Sequence, residues 1–276
     1  AWQSPAPLDL RVNPMTASRD DVLAQLRAED IDAAATPYSP LGIRVQGRPQ
    51  LSRHPLVADG RVEVQDEGSQ LIGFALAPRR GEMIADFCAG AGGKTLLLGA
   101  LMRSSGRLYA FDVVDKRLAN LKPRLARSGL SNVHPQLLTS ERDAKVKRLA
   151  GKLDRVLVDA PCTGFGTLRR NPDLKWRQTA KDLAELTVKQ AAILASAATL
   201  VKPGGRLVYA TCSVLPEEND AIVDAFLATH PQFAEGNVAA EFARAKIGLD
   251  TGVRLRTSPQ LHGCDGFFAA ILERRK

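Results

Sequence analysis

Between residues 84 and 95 the chain runs Ile84-Ala85-Asp86-Phe87-Cys88-Ala89-Gly90-Ala91-Gly92-Gly93-Lys94-Thr95. The apolar run from Met83 to Phe87 is typical of a buried strand, and the composition from Leu96 to Met102 is helical. A strand, a glycine turn and a helix let backbone N–H groups approach a ligand at a helix N-terminus. The stretch therefore predicts a nucleotide-type site or, more simply, a turn that packs a helix onto a strand.

Three ligand classes compete for this glycine cluster. A phosphate-binding P-loop requires a glycine at position 88, where the chain has Cys88. The dinucleotide fingerprint fits Gly90 and Gly92 but meets Thr95 at its third glycine. An S-adenosylmethionine site expects an acid at the end of the next strand, where Asp112 could accept both ribose hydroxyls.

The overall composition is that of a soluble globular protein, with 276 residues of which 45% are hydrophobic and 25% charged. This length predicts about two domains. No apolar run approaches the ~20 residues of a membrane helix, and no secretory signal is visible. We expect a cytoplasmic monomer without membrane contact. Because the first residue is Ala1 and not Met, we expect a processed N-terminus or a piece of a longer chain.

The charge is strongly basic, at +8 with a pI of about 9.5. Residues 1–62 contain seven basic and seven acidic side chains, so the whole surplus lies in residues 63–276. Such a surplus favours an anionic partner, although plain solvated charge is the alternative.

The four cysteines, at positions 88, 162, 212 and 264, form no CxxC pair and no cluster with histidine. Disulfide and zinc sites are therefore disfavoured, and we expect a reduced chain without a metal. Cys88 and Cys264 are most simply explained as small buried hydrophobic residues.

The chain divides into two predicted units. Residues 1–62 predict a small α+β unit, with a strand over residues 8–12 and a helix capped by Thr16 or Ser18. Residues 63–276 form the predicted catalytic domain. Its predicted strands are 83–87, 107–111, 133–138, 154–158, 206–210 and 266–272, with helices between them. This alternation predicts an α/β fold with a doubly wound, mostly parallel sheet.

Several polar residues follow the predicted strands directly. Asp159-Ala160-Pro161-Cys162 follows one strand, and Thr211-Cys212-Ser213 follows the next. Ligands of such sheets bind at the carboxyl ends of the strands, where the glycine cluster and Asp112 also fall. Asp159 could alternatively be the metal-binding acid of an ATPase, although Cys88 argues against this.

The chain resembles the Sun-type (Fmu/Sun) RNA cytosine-C5 methyltransferases, bacterial enzymes that act on small-subunit ribosomal RNA. The resemblance covers most of the chain from residue 64 onward, and the start resembles the small RNA-binding lead-in of that family. The matching stretches are Val64 to Leu71, Asp86 to Thr95, Asp154 to Gly164, Arg169 to Arg177, Lys202 to Glu218 and His262 to Phe268.

The resemblance implies that S-adenosylmethionine methylates a cytidine through a covalent cysteine adduct, which the two thiols explain chemically. It implies that Cys212 is the nucleophile, that Cys162 assists product release and that Asp159 contacts the cytosine edge. Lys94 is a candidate for the cation that favours the thiolate. The implied cofactor contacts are Cys88, Ala89, Gly90, Ala91, Gly92, Gly93, Lys94, Asp112 and Asp159.

Two departures from the family pattern concern the cofactor site. Gly90-Ala91 stands where the family usually has Ala-Pro. The carboxylate that usually follows the third strand is absent from Leu138-Thr139-Ser140, so that Glu141 or Asp143 would have to substitute.

The implied RNA partner is ribosomal RNA, with transfer RNA as the near alternative. Phosphate contacts are predicted for Arg169, Arg170, Lys175 and Arg177, with Trp176 either beside them or in the core. An RNA-binding or assembly protein with a vestigial site, and a nucleotide hydrolase, are the alternatives from other classes.

Overall fold

The computed structural model describes residues 1–47 and 49–276. Its first part is a four-stranded antiparallel sheet with the strand order β2-β3-β1-β4. Ser18 caps the first helix by accepting a hydrogen bond from the Asp21 N–H. The elements are β1 (Leu8–Val12), α1 (Arg19–Ala28), β2 (Ala33–Ala35), β3 (Gly42–Val45), α2 (Pro55–Ala58) and β4 (Val62–Val64). A domain boundary after residue 62 stays a prediction, and β4 runs across it.

The remainder of the described chain alternates helices with the strands of a second, eight-stranded sheet. The strands are β5 (Met83–Asp86), β6 (Arg107–Asp112), β7 (Val133–Leu137), β8 (Leu153–Asp159), β9 (Val201–Thr211), β10 (Phe233–Glu235), β11 (Leu255–Arg256) and β12 (Phe268–Arg274). The helices are α3 (Glu67–Leu76), α4 (Gly93–Leu101), α5 (Asp115–Ser128), α6 (Ala144–Lys147), α7 (Leu174–Arg177), α8 (Ala180–Ala198), α9 (Asp220–Thr229), α10 (Val238–Arg244) and α11 (Pro259–His262).

The strand order of this sheet is β10-β12-β9-β8-β5-β6-β7, with β11 paired to β12. The five strands from β9 to β7 pair in parallel, whereas β12 is antiparallel to both β9 and β10. The predicted doubly wound, mostly parallel sheet is confirmed.

Both faces of the sheet are buried, as the alternation of side chains along its central strands requires. Ile84 and Leu157 point into the core formed with α3, α4 and α5. Their neighbours Ala85 and Val156 point into the opposite core, formed with α8 and α9. Helices therefore cover the sheet on both sides and leave the carboxyl ends of the strands as the place for a site.

The structure differs from the sequence prediction near the start of β9. The strand predicted over residues 206–210 begins earlier, at Val201, so that the turn-forming residues Pro203-Gly204-Gly205 lie inside β9. There the pairing with β8 shifts register between Leu153 and Arg155. Gly204 has a φ of +76°, a conformation that glycine adopts without strain. The turn residues thus form an irregularity within a longer strand.

The small sheet is joined to the large one by buried polar contacts. The Asn13 amide donates to the carbonyl of Ser128 at 2.9 Å. The Arg11 guanidinium on β1 donates to the carbonyl of Gly93 at 2.6 Å, directly at the glycine turn. No helix in the described part of the chain combines the length and apolarity that a bilayer crossing needs.

Candidate active site

The glycine turn connects β5 to α4 through two residues in the left-handed region. Gly90 has a φ of +56° and Gly92 a φ of +87°. A Cβ on Gly92 would lie 2.1 Å from Leu121 Cδ1, so only glycine fits there, whereas a Cβ on Gly90 would meet nothing within 4 Å. The turn is therefore packed against α5 on one side and open on the other.

The open side of the turn faces a cavity of about 580 Å³ at the carboxyl ends of the strands. This volume lies within the range of ~300–1,000 Å³ found for small-ligand sites. Among the residues predicted to bind the cofactor or to take part in catalysis, all but Gly92 and Cys212 line this cavity. They are Cys88, Ala89, Gly90, Ala91, Gly93, Lys94, Asp112, Asp159 and Cys162.

Asp112 is positioned by the backbone of the loops around it. Its two carboxylate oxygens accept hydrogen bonds from the N–H groups of Gly90 and Val114, each at 2.8 Å. Each oxygen retains a second lone pair. Asp112 therefore holds the turn in place while it can still accept a hydrogen bond from a ligand hydroxyl.

Asp86 is a cavity residue that the sequence analysis did not assign to the site. Its Oδ2 accepts from the Thr95 hydroxyl at 2.7 Å, while its Oδ1 is buried without a partner among the described residues. Burial raises the pKa of Asp86 to about 7, and the hydrogen bond from Thr95 acts in the opposite direction. A cationic donor entering the cavity would satisfy the free oxygen. The sequence feature that could have identified Asp86 is an acidic residue at the end of the strand before the glycine turn.

Only one of the two proposed substitutes for the third-strand carboxylate lines the cavity. Glu141 lies in its wall. Asp143 instead caps α6, where it accepts from the N–H groups of Thr139 and Lys145, each at 2.8 Å. These contacts hold the pKa of Asp143 at about 2, with the Lys145 N–H as the largest cause.

The sulfurs of Cys162 and Cys212 lie 3.4 Å apart. The hydrogen bond from the Cys162 thiol is the main reason why the pKa of Cys212 lies below its usual value; Lys94 acts in the same direction, whereas burial and Asp159 oppose it. The pKa of Cys162 is raised well above its usual value, by the same pairing and by burial. The pairing therefore lets one cysteine stabilise the thiolate of the other, and the directions of the two pKa shifts favour Cys212 as the thiolate.

Lys94 pairs with Asp159, its Nζ lying 2.7 Å from the Asp159 carboxylate. Burial disfavours the charged form of Lys94, yet Asp159, with smaller contributions from Cys212 and Asp86, outweighs this effect, and the pKa of Lys94 lies above its usual value. The ammonium group also lies 5.4 Å from the centre of the Phe267 ring, within range of a cation–π contact. Lys94 thus remains a cation at the wall of the cavity.

The four predicted RNA contacts fall into two groups. The Arg169 side chain is 5% exposed and donates to Asp265 at 2.5 Å and to the Gly263 carbonyl at 3.0 Å. Arg170 also pairs with Asp265, and with Asp66 at 2.8 Å. This geometry favours a structural role for both arginines, because their guanidinium groups already have internal partners.

The other group lies on α7 at the surface. Trp176 is 80% exposed, so it does not pack in the core. The Lys175 ammonium lies 5.1 Å from the centre of its ring. Among the described residues, Arg177 pairs only with the exposed Asp173, at 2.9 Å. Phosphate contacts by Lys175 and Arg177 remain predictions that this exposure favours.

Further cavity residues come from elements that the sequence analysis did not connect with the site. Gln65 and Ser69 come from the segment that joins the two sheets, Arg124 from α5 and Lys189 from α8. Gln65 and Ser69 lie in the family-matching stretch from Val64 to Leu71, although no role was predicted for them. Arg124 and Lys189 lie on helices, and no local sequence pattern marks them as cavity residues. Within residues 1–47 and 49–276, no group of His, Cys, Asp or Glu is arranged to hold a metal ion.

Comparison with known proteins gives two family matches. The family described as 16S rRNA methyltransferase RsmB/F matches residues 73–273. A ferredoxin-like domain of RsmF/B-like methyltransferases matches residues 1–52.

Among curated relatives, the ribosomal RNA small subunit methyltransferase B of Photorhabdus laumondii is 36% identical over 270 residues, covering 98% of this chain and 60% of the relative. Its counterpart in Sodalis glossinidius is 40% identical over 225 residues, covering 82% of this chain and 51% of the relative. The chain thus spans about three-fifths or less of their length.

Two solved structures share the fold. A methyltransferase homologue from Pyrococcus horikoshii has a TM-score of 0.83 at 29% identity, covering 99% of this chain and 88% of that one. NSun6 from the same organism has a TM-score of 0.86 at 21% identity, covering 100% and 92%, and bears on the fold alone.

Proposed function

Because the chain belongs to the RsmB/F family of 16S rRNA methyltransferases, we propose that it methylates C5 of a cytidine in structured RNA, with S-adenosylmethionine as the donor. The proposed substrate is small-subunit ribosomal RNA. The observation that carries this proposal is the 3.4 Å separation of the Cys162 and Cys212 sulfurs, at the edge of a cavity formed around a glycine turn.

The residues around the cavity fit S-adenosylmethionine. Gly90 leaves its side of the turn open, and the Asp112 carboxylate is available to ribose hydroxyls. The unpartnered Oδ1 of Asp86 suits the ammonium group of the methionine part. Glu141 is the carboxylate left to face the adenine end, since Asp143 is engaged as a helix cap. When bound, S-adenosylmethionine would supply the methyl group as an electrophile.

The chemistry of the substrate explains why a thiolate is needed. Cytosine C5 is a weak nucleophile, and addition of the Cys212 sulfur to C6 turns the ring into an enamine. Asp159 is the residue we assign to the cytosine edge, where it helps to supply a proton to N3. A thiol with an ordinary pKa of ~8.5 is only a few per cent ionised at neutral pH. The hydrogen bond from Cys162 and the charge of Lys94 lower the pKa of Cys212, against the opposing effects of burial and Asp159.

Release reverses the addition. The C5 proton passes to water or another base in the cleft, its bonding electrons form the C5–C6 double bond, and the C6–S bond breaks. The proton that N3 took up during the addition is then lost, which restores a neutral cytosine ring. Cys212 leaves as the thiolate, which the Cys162 thiol is positioned to stabilise. The base must leave its stack to reach the two sulfurs, as base-modifying enzymes require.

Two variants test this assignment. Cys212→Ala is expected to abolish methyl transfer while cofactor binding, measured by calorimetry, is retained. Cys162→Ala is expected to accumulate a protein–RNA adduct that survives denaturation. An adduct trapped by Cys212→Ala instead would reverse the two roles.

The substrate class is tested with labelled S-adenosylmethionine and separate pools of ribosomal and transfer RNA. Label in small-subunit ribosomal RNA is the expected result. Label confined to transfer RNA would show that the substrate is transfer RNA and not ribosomal RNA. No label and no heat on cofactor titration would instead favour an assembly protein with a vestigial site.

A further inference from the structure

Glu218 is a fully buried carboxylate that the mechanism above does not use. Its two oxygens accept hydrogen bonds from the Thr163 N–H at 2.8 Å, the Thr163 hydroxyl at 2.5 Å and the Gln190 amide at 2.9 Å. In the part of the chain that the structure describes, it forms no ion pair. A buried carboxylate with only neutral partners is costly, so a compensating role is expected.

The donors to Glu218 lie on both sides of Cys162. Thr163 directly follows Cys162 in the chain. The Gln190 amide that bonds Glu218 also donates to the carbonyl of Pro161 at 3.0 Å, and Pro161 directly precedes Cys162. Both chain neighbours of this cysteine are therefore fixed through one carboxylate.

The next residue, Asn219, makes the equivalent contacts around Cys212. Its Oδ1 accepts from the Thr211 hydroxyl at 2.5 Å, and its amide donates to the carbonyl of Ser213 at 3.0 Å. Thr211 and Ser213 are the two chain neighbours of Cys212. Two consecutive side chains thus each hold the residues that flank one cysteine.

The two halves of this arrangement are also connected to each other. The hydroxyls of Thr163 and Ser213 lie 3.3 Å apart. The backbone carbonyl of Glu218 accepts from the buried Tyr209 hydroxyl at 2.7 Å, which fixes the pair against β9. The 3.4 Å separation of the sulfurs is therefore set by one continuous network of hydrogen bonds.

We propose that Glu218 and Asn219 are positioning residues with separate tasks: Glu218 fixes Cys162 for product release, and Asn219 fixes Cys212 for attack on the base. This inference rests on the proposed methyl transfer. Displacement of a reacting group by about 1 Å can cost roughly 10²-fold in rate. Each variant should therefore slow the step that belongs to its own cysteine.

The test separates adduct formation from product release. Wild type, Cys162→Ala, Glu218→Ala and Asn219→Ala are incubated with small-subunit ribosomal RNA and labelled S-adenosylmethionine. Denaturing gels measure the covalent adduct, and released methylated RNA is counted. Glu218→Ala should accumulate adduct while released product falls about 10²-fold. Asn219→Ala should lose product to a similar extent without accumulating adduct.

Three further variants separate positioning from a general structural effect. Glu218→Gln keeps an acceptor oxygen and should recover most of the release rate. Thr163→Val replaces the hydroxyl by a methyl group, which removes its contacts with Glu218 and Ser213 but keeps the bond from the Thr163 N–H to Glu218. This variant should accumulate adduct even if Glu218→Ala fails to fold. Glu217 is the exposed neighbour, so Glu217→Ala should behave as wild type.

Two results would each overturn the inference and leave the proposed function standing. The first is that Cys162→Ala accumulates adduct while Glu218→Ala and Thr163→Val do not. The second is that the Glu218 and Asn219 variants show the same phenotype. Absence of adduct and of methyl transfer in Cys162→Ala and in wild type would overturn the proposed function, and the inference with it.

Discussion

Arg124 provides the sharpest test of how the small sheet supports the proposed cofactor cavity. This arginine donates to the Ala91 carbonyl in the glycine turn at 2.6 Å, and through Nε and Nη2 to Glu63 on β4 at 3.0 and 2.7 Å. It therefore connects the turn to the small sheet. We expect Arg124→Met to weaken both the fold and the binding of S-adenosylmethionine.

The magnitude follows from the contacts that are lost. A hydrogen bond involving a charged group contributes about 1.5–3 kcal/mol. Glu63, whose side chain is 6% exposed, keeps its second partner Arg127 at 2.9 Å, so no fully unpaired charge is left behind. We expect a loss of about 2 kcal/mol in unfolding free energy, or a fall in Tm of about 4–8 °C. Without Arg124, the glycine turn would have to become ordered when the cofactor binds, and this cost should raise the cofactor Kd about tenfold.

Arg127→Met is the matched control. Arg127 pairs with the same carboxylate of Glu63 but makes no hydrogen bond to the glycine turn. Calorimetric titration and thermal unfolding should show a loss of stability in both variants, and a weaker cofactor Kd only in Arg124→Met. Equal changes of Kd in the two variants, or none in Arg124→Met, would refute the argument.

Three further outcomes are expected. Gly92→Ala should destabilise the chain in urea by about 2 kcal/mol or more, since its Cβ would meet Leu121 at 2.1 Å, whereas Gly90→Ala, with open space, should cost about 1 kcal/mol. Because the pKa of Asp86 is raised to about 7, the folded state keeps a proton on this carboxyl that the unfolded chain loses. Wild-type stability should therefore fall as the pH rises from about 4 to 7. Asp86→Asn should flatten this slope in urea titrations. Trp176→Ala should weaken RNA binding in filter assays by about 1–3 kcal/mol without changing the cofactor Kd.

Most of the eight-stranded sheet could be predicted from sequence because its longer strands each carry a local signal. An apolar run followed by a turn defines β5, β6 and β8 without reference to the remainder of the chain. The segment from 233 to 262 gave no such signal, since β10 has three residues and β11 only two. Whether β12 runs parallel or antiparallel to its neighbours depends on which strands it pairs with. No local sequence pattern encodes that pairing.

The same contrast applies to the site. The strand-end rule correctly indicated that Cys162 and Cys212 come together, because adjacent parallel strands end at one edge of the sheet. It could not show that Arg169 is an internal residue. Its partner Asp265 lies 96 positions away in the chain, and a basic side chain in a polar stretch gives no sign of such a distant carboxylate.

The two cysteines show how one residue type can acquire opposite properties at adjacent positions. The hydrogen bond with Cys162 lowers the pKa of Cys212; burial and Asp159 oppose this effect, and the Lys94 ammonium adds to it. The same pairing and burial raise the pKa of Cys162, and the Glu218 carboxylate acts in the same direction. Lys94 is thus the cation that acts on Cys212, and Glu218 is a carboxylate that acts on Cys162. This difference between the surrounding side chains agrees with the proposed role of Cys212 as the nucleophile.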